Sequence, residues 1–166
     1  SLYTTQNGFL SAFQNAAINE KQAPLYFWIL SLWRRVNDSI FFARLLSIVC
    51  SVAAIVVFAR FASRLFTSRV ALLTSAFFAL HPFLTLASLE IRGYSMVILV
   101  SIILIKLFFD GFANDLENGR RSSQIAFACM AAVALYTHYY LGFLLVGFLA
   151  ALVVSRKWRA AGSYVL

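Results

Sequence analysis

Residues 70–105 read VALLTSAFFALHPFLTLASLEIRGYSMVILVSIILI. Two apolar runs meet at Ser88-Leu89-Glu90-Ile91-Arg92-Gly93-Tyr94, which crowds two opposite charges and a tyrosine into the join. Residues 70–87 contain no Asp, Glu, Lys or Arg, and residues 93–105 contain none either. At about 1.5 Å of rise per residue, such runs cover most of a ~30 Å hydrocarbon core once their flanks are added. An ionisable side chain at the edge of a bilayer is costly, so Glu90 and Arg92 are by default a candidate functional site. The plainer reading is a loop at the membrane surface.

The rest of the chain agrees that lipid is the solvent. It is 62% hydrophobic and 12% charged over 166 residues, against roughly half and a quarter in soluble domains. Seventeen Phe, seven Tyr and three Trp suit lipid and interfacial contact. The net charge of +8 is spread in short clusters between apolar runs, as in loops facing anionic lipid, and this argues against nucleic acid as a partner. Cys50 and Cys129 lie inside apolar runs, match no metal spacing and give no sign of a disulfide. Polar sequence at Ser1, with neither initiator Met nor signal peptide, leads us to expect an excerpt of a longer membrane protein.

Five apolar segments follow, at about residues 40–59, 70–87, 93–109, 124–137 and 140–154. The last two reach only about 21–23 Å each, and Thr137-His138-Tyr139 alone separates them, so they read as a hairpin with its tip at or below one membrane face. Arg60, Arg64 and Arg69 fall in one loop, Arg120 and Arg121 in a second, and Arg156, Lys157 and Arg159 in a third. Alternating spans put all three on one side, which the positive-inside rule makes cytoplasmic. Residues 1–39, the Ser88 to Arg92 join and the His138 tip are then extracytoplasmic, although Arg34, Arg35 and Arg44 count against it.

The predicted fold is an all-α integral membrane protein of about five transmembrane helices plus an interfacial amphipathic helix. Its divisions are an extracytoplasmic loop with a juxtamembrane helix (1–39), a helical core (40–155) and a basic cytoplasmic segment (156–166). The interfacial helix covers residues 23–36, with Pro24 in its first turn and Tyr26, Phe27, Trp28 and Trp33 in the headgroup zone. Taking Pro24 to Trp33 as a span instead gives only about 16 Å and moves Arg60, Arg64 and Arg69 outside. Lys106, one turn before Asp110, reads as a snorkelling, paired lysine. His81-Pro82 should kink its helix.

In this topology Glu20, Lys21, Glu90, Arg92 and His138 converge on one face. Carboxylates and a histidine serve as acid/base groups or hold a divalent metal, and Lys or Arg holds phosphate. Each also has an ordinary explanation: Glu20-Lys21 as a solvated pair, His138 as an interfacial histidine.

Four stretches carry a family resemblance. Gln22-Ala23-Pro24-Leu25-Tyr26-Phe27 resembles a His-Pro-Pro-Leu-Tyr-Tyr segment, and Asp38-Ser39-Ile40-Phe41-Phe42-Ala43-Arg44-Leu45 is similar to Asp-Ser-Glu-Phe-Ala-Leu-Arg-Leu. Ser88-Leu89-Glu90-Ile91-Arg92-Gly93-Tyr94-Ser95 resembles Ser-Gln-Glu-Ala-Arg-Met-Tyr-Ser, and Leu135-Tyr136-Thr137-His138-Tyr139 resembles Leu-Tyr-Thr-His-Tyr. All four occur, in this order, in the GT-C glycosyltransferases that use lipid-phosphate sugars, such as the dolichyl-phosphate-mannose protein mannosyltransferases and the lipid A aminoarabinose transferases.

The resemblance, which covers about residues 20–155, implies transfer of a sugar from a polyprenyl-phosphate carrier to an acceptor glycan, lipid or protein outside the cell membrane. It implies Glu90 and His138 as catalytic residues, Arg92 and Lys21 on the donor phosphate, and Glu20 as a possible contact for a divalent metal. Gln22 stands where the family has a basic residue before Pro-Pro, so the register of Glu20 and Lys21 is offset by one. The family's Asp-Glu pair after its first span has no counterpart in residues 3–19, which contain no acidic residue, so the resemblance implies a pair upstream of Ser1 and an excerpt inactive alone. The competing class is a transporter or flippase of lipid-linked sugars, which should place ionisable or helix-breaking residues near the midplane of several helices. The clean midplanes of 40–59 and 70–80 favour an enzyme working at one face.

Overall fold

The computed structural model describes residues 24–113 and 120–154, and every element among them is helical. Glu20, Lys21, the loop at 114–119 and the basic segment from 155 onward lie outside the described residues.

Helix α1 (Leu25–Arg34) is followed by α2 (Ile40–Leu65), the longest helix, at 26 residues or about 39 Å. Ser39 starts α2 by accepting a hydrogen bond from the Phe42 amide at 3.2 Å, the usual duty of a serine N-cap. Helices α3 (Ser68–Ala79) and α4 (Pro82–Leu89) form one path bent by 50°. The expected kink is there. Pro82 occupies the first helical position, where its missing N–H costs nothing, and His81 caps α4 by accepting from the Phe83 amide through Nδ1 at 3.2 Å.

Helix α5 (Tyr94–Phe108) runs into a wider π-helical turn, Phe109–Ala113. Helix α6 (Arg120–Thr137) then packs so closely on that turn that a Cβ at Gly111 would meet the Gln124 backbone nitrogen at 3.3 Å. Gln124 seals the contact by donating to the Gly111 carbonyl at 3.0 Å. Helix α7 (Leu141–Val154) completes the described chain.

Helices α2 and α5 (continued to Phe112) are each long and apolar enough to cross a membrane, and the bent α3–α4 path meets the same length and apolarity only when its two helices are taken together. Helix α6 begins four residues earlier than expected, with the polar residues Arg120 to Gln124, and α7 is short and apolar.

Ring contacts set the directions. Phe58 meets Phe78 at 4.7 Å and Ser47 meets Glu90, so α3–α4 returns along α2 toward its start. Phe61 meets Phe109 at 5.4 Å, so α5 travels back to the far end of α2. There Phe108 stacks on Phe148 at 4.4 Å and touches Phe112 and Phe127, locking α5, α6 and α7 together. In lipid this packing, rather than expulsion of water, holds helices to one another. Three hydroxyls inside the helices bond back to their own carbonyls, Ser75 to Ala71, Ser101 to Val97 and Thr137 to Val133, which satisfies them where water is absent, whereas the buried Ser51 and Ser95 hydroxyls have no partner among the described residues.

Helix α1 corrects one expectation. Tyr26 and Phe27 are buried in the protein core, 3% and 2% exposed, not presented to headgroups. Trp33 is tied to α2, stacking on Phe42 at 4.9 Å and donating its indole N–H to the Phe42 carbonyl at 2.8 Å. An Arg34–Asp38 ion pair at 2.6 Å braces the link between the two helices.

Candidate functional site

The join between α4 and α5 is short because both helices end there for local reasons. Glu90 is extended at the C-cap of α4, its amide still donating to the Leu86 carbonyl at 3.2 Å, and Gly93 starts α5. The Tyr26 ring lies against Gly93, where an added Cβ would sit 3.4 Å from Tyr26 Cγ. Beneath, the fully buried Ser47 donates its hydroxyl to the Glu90 carbonyl at 2.8 Å. The backbone of the turn is therefore held by helices α1 and α2, while its charged side chains point away from the core.

Those side chains border an open pocket of about 380 Å³ lined by Arg44, Leu89, Glu90, Ile91 and Arg92. Glu90, Arg92 and Arg44 are all exposed. Arg92 donates to the Tyr94 hydroxyl at 3.3 Å. Glu90 makes no ion pair among the described residues, so its carboxylate is available to a reacting group.

Two guanidinium groups and one carboxylate thus border one open cleft, and such groups are the chemistry that can hold an anion and accept a proton. Arg44 is the residue that sequence reasoning missed. It had counted only against the topology, although it sits within the Asp38 to Leu45 stretch that resembles the family.

The remaining candidates fare differently. His138 is half-buried between α6 and α7, where Nδ1 accepts from the Tyr140 amide at 3.4 Å and the ring tilts over Tyr140. It does not line the pocket. Glu20 and Lys21 lie outside the described residues. Among the described residues no three of His, Cys, Asp and Glu gather as metal ligands, and the pocket has only one carboxylate.

Next to this site, burial pushes the Tyr26 phenol up to about 12. The nearby Ser47 hydroxyl offsets a little of that rise. Its proton is committed to Glu90, however, and the Tyr26 hydroxyl has no partner of hydrogen-bonding geometry among the described residues.

No curated protein and no solved structure matches the chain. A family model described as dolichyl-phosphate-mannose-protein mannosyltransferase matches residues 21–165. With that match spanning the described helices and the pocket alike, the chain belongs to the dolichyl-phosphate-mannose-protein mannosyltransferase family.

Proposed function

We propose that this membrane glycosyltransferase moves a sugar from a polyprenyl-phosphate carrier to an acceptor hydroxyl at the extracytoplasmic face, with the pocket at the α4–α5 join as the place of reaction. The observation that carries the reading is the pocket lining, one carboxylate flanked by two arginines at the end of the bundle. The acceptor hydroxyl gives its proton to the Glu90 carboxylate as its oxygen bonds to the sugar's anomeric carbon. The bond from that carbon to the phosphate oxygen breaks, and the polyprenyl phosphate leaves with its charge held by Arg44 and Arg92. The described donor set does not make a metal site, and no step runs through one.

The test is Glu90→Gln in the intact membrane enzyme, assayed with a water-soluble, short-chain polyprenyl-phosphate sugar. Turnover should fall on the order of 10²–10⁴-fold, the usual effect of losing an acid/base group, with protein abundance nearly unchanged because the side chain is exposed. Arg44→Ala and Arg92→Ala should instead raise the donor KM. Near-normal turnover in the Glu90 variant would return this pair to a mere marker of the membrane surface.

A further inference from the structure

Serine in the middle of a membrane helix ordinarily bonds to the carbonyl one turn back, and Ser75 and Ser101 do so here. Ser47 does not. Its hydroxyl reaches across 43 residues of sequence to the Glu90 carbonyl at 2.8 Å, although Ser47 is completely buried. The other side of the same residue is fixed too, since the Glu90 amide bonds to Leu86. Both backbone polar groups of Glu90 are thus anchored while the residue itself is exposed and borders the open pocket.

From this juxtaposition we infer that Ser47 is a positioning residue for Glu90, tying the turn at 90–93 to α2 so that the carboxylate and Arg44, one helical turn before Ser47, are held to a common frame. The inference rests on the proposed role of Glu90. In the four-residue turn between the two helices, Ile91 packs on the core and Gly93 lies against Tyr26, while the Glu90 side chain is exposed and gains no such packing. A hydrogen bond from the neighbouring helix holds the residue instead, and small errors in placement are expensive in catalysis: a 1 Å shift costs on the order of 10²-fold. Arg44 and Ser47 lie on the same helix face, three residues apart. Any slippage of the turn relative to α2 would therefore change the spacing between the proton acceptor and one of the phosphate-binding cations together.

The experiment compares Ser47→Ala, Ser47→Cys, Glu90→Gln and the Ser47→Ala/Glu90→Gln double variant in the intact enzyme, with donor KM and kcat measured separately. Ser47→Ala should lower kcat roughly 10- to 100-fold with donor KM little changed. Ser47→Cys, of similar shape with a weaker donor, should fall between wild type and Ala. The double variant should be no slower than Glu90→Gln alone, because the anchor matters only through the carboxylate. If Glu90→Gln is slow and Ser47→Ala is normal, the anchoring role is overturned and the reading of Glu90 stands. If the two losses multiply, Ser47 acts on the structure generally and the inference also fails. Near-normal turnover in Glu90→Gln removes both.

Discussion

Arg64, in the last turn of α2, and Asp110, in the π-helical turn after α5, form an ion pair at 3.0 Å between residues 46 apart in sequence. Lys106 reaches the other Asp110 oxygen at 2.8 Å, so one largely buried carboxylate pairs with two cations and the cluster keeps a net positive charge. Arg44, on the pocket at the opposite end of the bundle, is twenty residues earlier on α2, about 30 Å along the axis. That is the thickness of a bilayer core. The two polar centres thus sit where the two interfaces of a membrane would lie, joined by apolar helix.

Asp110→Asn should leave Arg64 and Lys106 without their carboxylate and lower stability by about 1 kcal/mol, near the upper end for partly exposed pairs. Arg64→Ala should cost less, since Lys106 still serves Asp110 and Arg64 is half exposed. Thermal unfolding in detergent would measure both. Donor KM and turnover should not change, because the pocket is a bilayer's thickness away. A loss of activity without a loss of stability would contradict this separation.

How much of this was legible in the sequence depends on the range of the interaction. The kink at His81-Pro82, the Lys106–Asp110 pair and the charged join all follow from local order, and each is found. Arg64 joining Asp110 depends on two helices meeting, which no local pattern announces. The same holds for Arg44, a positive charge on the expected outer side in sequence order, which borders the pocket only because the α4–α5 turn packs beside it. Tyr26 and Phe27 were misread for a different reason. An aromatic run next to polar sequence looks alike whether its rings face headgroups or another helix, and here α2 and α6 cover them.

Tyr26 offers a pH test outside the spanning helices. Its folded-state pKa, raised by burial from 10.0 to about 12, means the neutral phenol is the form the fold accepts. The contribution is fully present below pH 10.0 and is lost as pH climbs toward about 12. Tyr26→Phe removes the titration together with a buried hydroxyl that has no partner among the described residues. Stability near neutral pH should therefore hold or rise slightly, and the decline of the thermal midpoint above about pH 10 should be shallower than in wild type. An equal decline in both proteins would show that Tyr26 titrates as an ordinary exposed phenol.

The last prediction concerns which end of the bundle faces the cytoplasm. Arg60, Arg64 and Arg69 surround the α2–α3 connection, and Arg121 lies in the first turn of α6 at the same end, as Gln124 meeting Gly111 requires. Basic residues accumulate in cytoplasmic loops, so this end should lie inside and the pocket outside. Both native thiols, Cys50 and Cys129, would first be replaced by Ala to give a silent background. Asn37→Cys, exposed beside the start of α2, should then react with a membrane-impermeant maleimide from the outer side only. Ser63→Cys and Ser122→Cys, exposed at the other end, should react only after the inner side is opened. Three antiparallel paths separate Asn37 from Ser122, so the pattern also tests whether the bent α3–α4 path crosses the bilayer. If Asn37 and Ser63 label from the same side, α2 does not span, and the placement of the pocket at the outer face falls with it.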